Sequence, residues 1–398
     1  MSKQIKFKRV SAQNKRFYSL GLIVLFFGLI CFPSLQAKSF EKPQIDRSNF
    51  QLLIGTMVEA DYAYYRDDVT ELKSGSELRR ARLILGGTVS GWNYKMQTDF
   101  SHPSGLVLIE DFYVSNKGWT IGAFRQPFSL EDMTSESDLT FMERALPNIF
   151  TPFYRIGAAY KVAWSNGSLA LALTGEPYWV NAFGDEGIGG GGRFTLAPIH
   201  EGKTILHVGS SYAWRQPPDS NSPYHRISHR PESHVDGRRF VDTGTIVDVK
   251  SISTYGFEFA AVWNEFSMQG EFISTNIKAS SEYSFDGAYI WFNWFITGES
   301  RPYERKTGTF TRLRPRAAIG AWSLALRYSY IDLSDNDSVG SGNGIFGGIE
   351  QNSSVGLSYF PNPNIRFMLE YVYMDMDNNA IQGPQYPSVI QARMHFAI

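Results

Sequence analysis

The stretch "ELRRARLIL" (77–85) of this 398-residue sequence contains three arginines, of which Arg80 and Arg82 are two positions apart. On a β-strand, Arg80 and Arg82 point to the same side and lie about 7 Å apart. Arginine stays charged at physiological pH and presents a fork of donors that matches an oxyanion. Such side chains select for anions when they line a narrow aqueous passage, because low-dielectric walls strengthen their field. The pair therefore predicts anion binding and a role in ion preference.

Further charged residues fall on the polar faces of neighbouring segments or beside long connections. The candidates for lining the passage or binding anions are Arg79, Arg80, Arg82, Lys95, Asp99, Asp111, Arg125, Arg144, Arg155, Lys161, Arg193, Arg327 and Arg366. Alternation along the strand places Arg79 at the rim or on the other face. It cannot orient Arg125 and Arg144, which are the candidates for the narrowest point.

A second interpretation of the same charges stays open. The cations would then pair with carboxylates and only brace the wall. The acids available for such pairs are Asp99, Glu110, Asp111, Glu258, Glu271 and Glu370.

Other patterns predict no catalytic site, metal or cofactor. The stretch "GIGGGGR" (187–193) matches the spacing G-x-G-x-x-G, but no strand-then-helix context surrounds it. A glycine-rich strand with closely approaching neighbours is expected there. The segment 215–245 combines basic residues with three histidines whose spacing fits no helical metal site, namely His225, His229 and His234. It predicts a basic vestibule or a solvated loop.

The elements that must position these residues alternate with period two. In "WNYKMQTDF" (92–100), Lys95 and Asp99 lie on one face, and Tyr94 and Phe100 lie on the other. Sixteen segments show this pattern or a less regular form of it. They are 51–65, 78–90, 92–100, 106–116, 118–126, 155–165, 168–176, 188–198, 204–214, 249–263, 266–276, 286–298, 322–330, 349–360, 365–373 and 390–398.

The connections between these segments predict how they assemble. Short turns alternate with longer connections at 66–76, 127–153, 215–245 and 333–348. An even number of strands, with short turns at one end and long loops at the other, is typical of outer-membrane barrels. The sequence thus predicts an all-β fold, a transmembrane antiparallel β-barrel of 16 strands, with Lys95 and Asp99 facing its water-filled interior. A secreted β-sandwich is the alternative.

The first residues predict export. Six Lys and Arg precede an apolar run over 20–32, and the small residue Ala37 follows, as in a cleaved signal peptide over 1–37. That run is too short for a membrane-spanning helix. Residues 38–50 are expected to form a short periplasmic segment, and 51–398 the barrel. Cleavage would leave 32 basic and 39 acidic residues, a net charge of −7, which argues against nucleic acid as a partner.

Several stretches resemble the phosphate-selective porin O and P family of Gram-negative outer membranes. The most specific are "ITGESRPY" (296–303) and "GAWSLALRYS" (320–329), and weaker ones, such as "FPNPNIRFMLEY" (360–371), follow in the expected order. The resemblance implies a sixteen-stranded barrel that is usually a trimer. It also implies that the third external loop, here 127–153, folds inward, and that wall arginines and lysines carry anions.

The function expected from these observations is passive diffusion of small anions, phosphate-type solutes first, through an outer-membrane channel. Its partners would be those anions and outer-membrane lipid, and the channel would be a homotrimer. The net charge of −7 keeps a general or organic-acid porin of the same fold as an alternative. A barrel hydrolase is a third alternative. It needs a nucleophile and a base within hydrogen-bond reach, and its candidate bases are His102 and His395.

Overall fold

The structure is a computed structural model that describes residues 44–47, 50–177, 186–218, 225–335 and 344–398. The predicted signal peptide over 1–37 lies outside these residues. Within them, sixteen strands form one closed antiparallel barrel, and a short strand, β1, joins its sheet along β2. No helix in the described part of the chain has the length and apolarity needed to cross a bilayer.

The strands follow one another around the barrel in chain order. The first ten strands are β1 (Gln44–Arg47), β2 (Phe50–Arg66), β3 (Gly75–Val89), β4 (Trp92–Asp99), β5 (Leu108–Asn116), β6 (Trp119–Arg125), β7 (Tyr154–Trp164), β8 (Gly167–Thr174), β9 (Ile188–Glu201) and β10 (Thr204–Gln216). A short pair, β11 (Ser228–His229) and β12 (Val241–Asp242), stands apart from the barrel sheet.

The second half of the barrel has the same order. Its first strands are β13 (Ser251–Trp263), β14 (Phe266–Lys278) and β15 (Glu282–Phe295), followed by a second separate pair, β16 (Tyr303–Glu304) and β17 (Thr309–Phe310). The last strands are β18 (Ala321–Asp335), β19 (Ile345–Asn362), β20 (Ile365–Met376) and β21 (Ser388–Ala397). The barrel closes where β21 pairs with β2, in a register that sets Phe396 opposite Val58 and Ile390 opposite Tyr64.

Each of the sixteen predicted segments overlaps one barrel strand, so the predicted fold class is confirmed. The two faces differ as the alternation requires. On β20, Arg366 and Glu370 are buried inside, whereas Tyr371 and Tyr373 are 43% and 40% exposed on the outside. The outer surface is therefore apolar and aromatic, which is the inverse of a soluble protein and the expected surface for contact with lipid.

Aromatic residues ring both ends of the outer surface. Exposed tryptophans lie at the end with the tight turns: Trp92, Trp119, Trp164, Trp263 and Trp294. Six exposed tyrosines lie toward the end with the long loops, namely Tyr64, Tyr212, Tyr255, Tyr328, Tyr371 and Tyr373, whereas Tyr160 lies beside Trp119 at the other end. Amphipathic rings favour the two membrane–water interfaces, so the two rings mark the limits of the bilayer.

The third loop, residues 126–153, connects β6 to β7. It contains one turn of α-helix, α1 (Leu130–Met133), and two 3-10 helices, Glu136–Asp138 and Leu146–Phe150. Its Phe141 is 2% exposed and packs in one cluster with Tyr289 and Trp291 of β15. The third loop thus starts at β6 and packs one of its aromatic side chains against β15.

The opposite end of the barrel departs from the expected plan. The connection from β15 to β18, residues 296–320, lies at the end that otherwise carries tight turns, yet it is long and contains β16 and β17. Its Arg301 is 7% exposed and donates to Gln269 of β14 and to the carbonyl of Asp138 in the third loop. The expectation of short turns throughout this end is therefore wrong. The 296–320 segment also enters the barrel and meets the third loop there.

Candidate functional site

A bulge in β3 turns three arginines toward the interior. The register between β2 and β3 shifts by one residue, which leaves Arg79 without a partner on β2. The side chains of Arg79, Arg80 and Arg82 are 18%, 6% and 5% exposed, whereas Leu78 is half exposed on the outside. The expectation that Arg79 lies at the rim or on the other face is wrong, because a bulge adds one residue and breaks the alternation.

Carboxylates hold the first two of these arginines. Arg79 forms a two-bond pair with Glu143 of the third loop, and Arg80 pairs with Glu59 of β2. Arg393 of β21 also contacts Glu143, at 2.6 Å. Burial alone would raise the pKa of Glu143, but the nearby Arg79, Arg393 and Arg80 bring that pKa well below its usual range.

The backbone of the third loop is held by wall carboxylates. Glu271 of β14 accepts from the N–H groups of Leu130 at 2.9 Å and Glu131 at 2.7 Å. Glu370 of β20 accepts from the N–H group of Met142 at 2.6 Å. A buried peptide group needs a partner, and here the wall supplies acceptors where a helix or sheet would otherwise do so.

Wall arginines satisfy the carbonyl groups of the same loop. Arg366 donates to the carbonyl oxygen of Thr140 at 2.7 Å, and Arg327 donates to that of Glu143 at 2.8 Å. Arg327 also lies over the ring of Phe141, 4.2 Å from its centroid. Arg327 and Arg366, predicted as anion contacts, are thus engaged in holding the third loop.

Three of the predicted arginines meet at one carboxylate of the third loop. Glu136 accepts from Arg125 Nη2 at 2.8 Å and from Arg144 Nη1 at 3.2 Å, and Arg82 Nη1 lies 3.2 Å from its other oxygen. Burial alone would raise the pKa of Glu136, but Arg125, Arg82 and Arg144 bring that pKa well below its usual range. Arg125 and Arg144, which alternation could not orient, are thereby placed together.

Most of the other candidates are paired along the wall. These pairs are Lys95–Asp111 (2.5 Å), Arg82–Asp99 (2.9 Å), Arg155–Glu176 (3.6 Å) and Arg193–Glu258 (2.6 Å). Arg193 also donates to the carbonyls of Thr307 and Gly308 in the 296–320 segment. The interpretation in which the cations pair with acids and brace the wall therefore describes the contacts of these residues.

Lys161 and Arg312 differ from these residues. Within the described residues, neither makes an ion pair, and the one side-chain hydrogen bond of Arg312 goes to the carbonyl of Ala397 at 3.3 Å. Both line a cavity of about 450 Å³ between the third loop and the walls formed by β4 to β8. Lys95, Arg125 and Glu136 line the same cavity.

Comparison with known proteins agrees with this geometry. The family model described as "Phosphate-selective porin O and P" matches residues 53–398. The chain belongs to this family. Porin O of Pseudomonas aeruginosa is 26% identical in an alignment of 338 residues that covers 73% of this chain and 74% of that protein. An uncharacterized protein of Caulobacter vibrioides is 28% identical over 322 residues, 76% of this chain but only 63% of that longer protein.

Solved structures support the porin fold. The outer-membrane channel DcaP of Acinetobacter baumannii superimposes with a TM-score of 0.57 at 13% identity, over 89% of this chain and 99% of that one. At that identity, the match concerns the fold alone. Family membership identifies the chain as an outer-membrane porin and not as an enzyme.

The two histidines considered for hydrolysis have other contacts in this porin. His102 contacts the hydroxyl of Ser104 at 2.7 Å in an exposed loop, and His395 contacts Glu59 at 3.0 Å inside the barrel. The described residues contain no group of three or more His, Cys, Asp or Glu arranged to hold a metal ion. Neither histidine thus belongs to a nucleophile–base–acid arrangement in the described part of the porin.

The predicted basic vestibule is more enclosed than expected. Burial lowers the pKa of His229 to about 4, and His234 contacts Glu77 of β3 at 2.8 Å. Glu232 is 1% exposed, ion-pairs with Arg327 at 2.7 Å and accepts from the N–H of Leu146 in the third loop. This part of the segment 215–245 packs on the third loop and is not a solvated loop.

Four functional residues escaped the sequence reasoning: Glu136, Glu232, Arg301 and Arg312. None lies on a regular strand, so alternation gave no orientation for them. Arg301 lies within "ITGESRPY", one of the two most specific stretches of the resemblance, and that likeness to the family was the available signal. In the porin, its guanidinium lies 3.8 Å from the ring centroid of Phe310 and 4.5 Å from that of Trp291.

Proposed function

We propose that this porin forms a water-filled channel for the passive diffusion of small anions, with phosphate-type oxyanions as preferred solutes. The observation that carries the proposal is the 450 Å³ cavity beside the third loop, lined by Lys161 and Arg312. An ion pair presents little net field to a passing solute, whereas a cation without a partner presents its full charge. In a narrow channel with low-dielectric walls, two such cations favour anions.

The preference for oxyanions rests on the chemistry of the lining and on the family. Guanidinium groups offer planar forks that match two oxygens of a phosphate or carboxylate, and Arg125 and Arg312 line the cavity with such groups. The family description itself names phosphate-selective porins. These two observations favour phosphate over chloride as the solute that binds best.

A second candidate, an organic-acid channel, is favoured by another cavity. It has a volume of about 210 Å³ and is lined by apolar side chains, among them Phe150, Phe153 and Ile227, together with Arg155 and Arg215. Apolar walls with a cation suit an aromatic or branched carboxylate. If this candidate is correct, benzoate should inhibit chloride conductance at lower concentrations than phosphate does.

We further propose that the porin is a homotrimer in which the sector β4–β6 faces the neighbouring copies. These strands have 8, 9 and 7 residues, whereas a membrane-spanning strand needs about 9–11. Contact with another copy would shield the short strands from lipid. Mass measurement of the porin in mild detergent tests this proposal; a monomeric mass for a folded, conducting preparation would contradict it.

A further proposal concerns the processing of the N-terminus. Cleavage after Ala37 would leave residues 38–50 as a short periplasmic segment before the barrel. N-terminal sequencing of the protein from outer membranes tests this, because an N-terminus upstream of residue 38 would contradict cleavage at that position.

The main proposal is tested on the unmodified porin in a planar bilayer. With a tenfold gradient of potassium chloride, the reversal potential should have the sign of an anion-selective channel. Added inorganic phosphate should then reduce the chloride conductance in a saturable manner. A cation-selective reversal potential would contradict the proposal. Anion selectivity without inhibition by phosphate would favour a general anion porin.

A further inference from the structure

Glu136 occupies the centre of an arginine cluster in which all three guanidinium groups come from different elements. Arg82 belongs to β3, Arg125 ends β6, and Arg144 belongs to the third loop. Both oxygens of the Glu136 carboxylate lie among these groups, at distances of 2.8 to 3.2 Å. A phosphate or carboxylate solute bound by three arginines would occupy a similar position.

Other carboxylates fix the arginines independently of Glu136. Asp132 lies 2.7 Å from Arg125 and 3.7 Å from Arg144, and Asp99 lies 2.9 Å from Arg82. The side chain of Arg82 is 5% exposed, and its Nη1 has no hydrogen-bond partner of good geometry within the described residues. The three arginines therefore keep their orientation without Glu136, and Arg82 Nη1 remains available to donate to a solute.

Glu136 lies in the middle of the third loop, where its side chain is 8% exposed and the carbonyl of the nearby Asp138 accepts from Arg301. It begins a 3-10 helix, Glu136–Asp138, whose N-terminus has no side-chain cap. Ser135 before it is exposed, whereas Glu131 and Asp132 on one side and Leu139 on the other are buried. The carboxylate can thus leave the cluster by local rotation, without unpacking the apolar contacts of the loop.

A place for the displaced carboxylate lies next to the cluster. Glu136 lines the 450 Å³ cavity, which also contains Lys161 with no ion pair among the described residues. Rotation of Glu136 would move its charge out of the arginine cluster and into this cavity, which Lys95 also lines. The exchange of one carboxylate for one incoming oxyanion would leave the charge of the cluster unchanged for a monovalent solute.

We propose that Arg82, Arg125 and Arg144 form an oxyanion-binding site that Glu136 occupies in the empty channel, and that a permeating oxyanion competes with Glu136 for this site. This inference rests on the proposed anion-channel function. A tethered competitor lowers the apparent affinity for the solute, which becomes the intrinsic affinity multiplied by the fraction of time in which the site is free. The porin would thus bind phosphate weakly enough to release it, although its arginines could bind phosphate more tightly.

The Glu136→Gln variant tests the competition, because an amide keeps the shape of the side chain and removes its charge. We expect inorganic phosphate to inhibit the chloride conductance of this variant at about one tenth of the concentration needed for the wild type, as for a site that Glu136 fills about nine tenths of the time. The matched control is Glu110→Gln. Glu110 also pairs with Arg82, but unlike Glu136 it does not join the three arginines, so this substitution removes a carboxylate without freeing the site.

The outcomes separate competition from a simple effect of charge. A much larger gain for Glu136→Gln than for Glu110→Gln supports the inference, whereas an equal gain or no gain overturns it. If Glu136→Gln does not fold, as judged by heat-modifiable mobility on a gel, Glu136→Asp replaces it. The shorter carboxylate should give a smaller gain in the same direction, and unchanged inhibition would overturn the inference. A wild type that is not anion-selective would instead contradict the proposed function.

Discussion

Arg79 and Glu143 form a fork-to-fork ion pair that joins the barrel wall to the third loop. Arg79 Nε donates to Glu143 Oε1 at 2.8 Å, and Nη2 donates to Oε2 at 2.9 Å. Both side chains are largely buried, at 18% and 14% exposure. An arginine that the sequence suggested as an anion contact is thus paired with a carboxylate of the third loop.

The first prediction concerns this pair. Arg79→Lys keeps the charge but loses the two parallel bonds, so it should reduce the stability of the folded porin by about 1–3 kcal/mol. The temperature at which the compact band converts to the unfolded band on a gel should fall, while the reversal potential should not change. Arg226→Lys is the matched control, because Arg226 also donates to a carboxylate, that of Asp242, through Nε and Nη2, but is 56% exposed, so its replacement should have little effect. A changed reversal potential with unchanged stability would contradict this prediction.

The second prediction concerns Arg80, which the sequence placed among the residues that set ion preference. Its contact with Glu59 is buried, and His395 and Arg393 also contact Glu59. Arg80→Gln should therefore destabilise the porin by about 1–3 kcal/mol and leave the selectivity close to that of the wild type. Thermal conversion on a gel and bilayer recordings measure the two effects. A large shift toward cations in a variant with normal heat resistance would restore Arg80 to the anion path.

The third prediction concerns the attachment of the third loop. In Glu271→Gln, an amide NH₂ group replaces one of the two carboxylate oxygens. Only one acceptor then remains for the two N–H groups of Leu130 and Glu131. The loop should loosen, so single-channel conductance should rise and become noisier. The exposed Glu282→Gln serves as the control, since the pair between Lys278 and Glu282 lies at the surface. Equal conductance in both variants would show that this anchor does not control the opening.

The fourth prediction concerns pH. The pKa of Glu143 is below its ordinary value of 4.5, so its contribution to stability is present above that value and is lost as the pH falls through the folded-state pKa. The stability difference between the wild type and Glu143→Gln should therefore be the same at pH 7 and pH 5 and should shrink below about pH 4.5. A difference that already declines between pH 7 and pH 5 would mean that Glu143 is not held ionised by its arginines.

The strands could be predicted from the sequence because their signal is local. A strand between lipid and the interior must alternate, and the sequence of each strand, such as "IRFMLEY" in β20, shows this without knowledge of its neighbours. The bulge at Arg79 could not be predicted, since it depends on the register of β2 against β3. One extra residue there changed the orientation of Arg79, which alternation had placed at the rim or on the other face.

The contacts inside the barrel could not be predicted for a different reason. Alternation gives the face of Arg327 or Arg366, but it does not give the residue that each arginine meets across the interior. Those partners belong to the third loop, for example Glu143 and Thr140, whose backbone follows no period. The entry of the 296–320 segment into the barrel could not be predicted for the same reason, although it contains "ITGESRPY", one of the two stretches that most resemble the family.

The most direct test of the anion path is the reversal potential of the Lys161→Gln, Arg312→Gln double variant in a tenfold gradient of potassium chloride. Neither side chain makes an ion pair among the described residues, so their loss should leave heat resistance unchanged. We expect a shift of the reversal potential toward cations, with weaker inhibition by phosphate. Arg305→Gln with Lys306→Gln, two exposed cations of the 296–320 segment outside the cavity, removes the same charge and should shift it much less. A folded Lys161→Gln, Arg312→Gln variant with the selectivity and phosphate inhibition of the wild type would contradict the account.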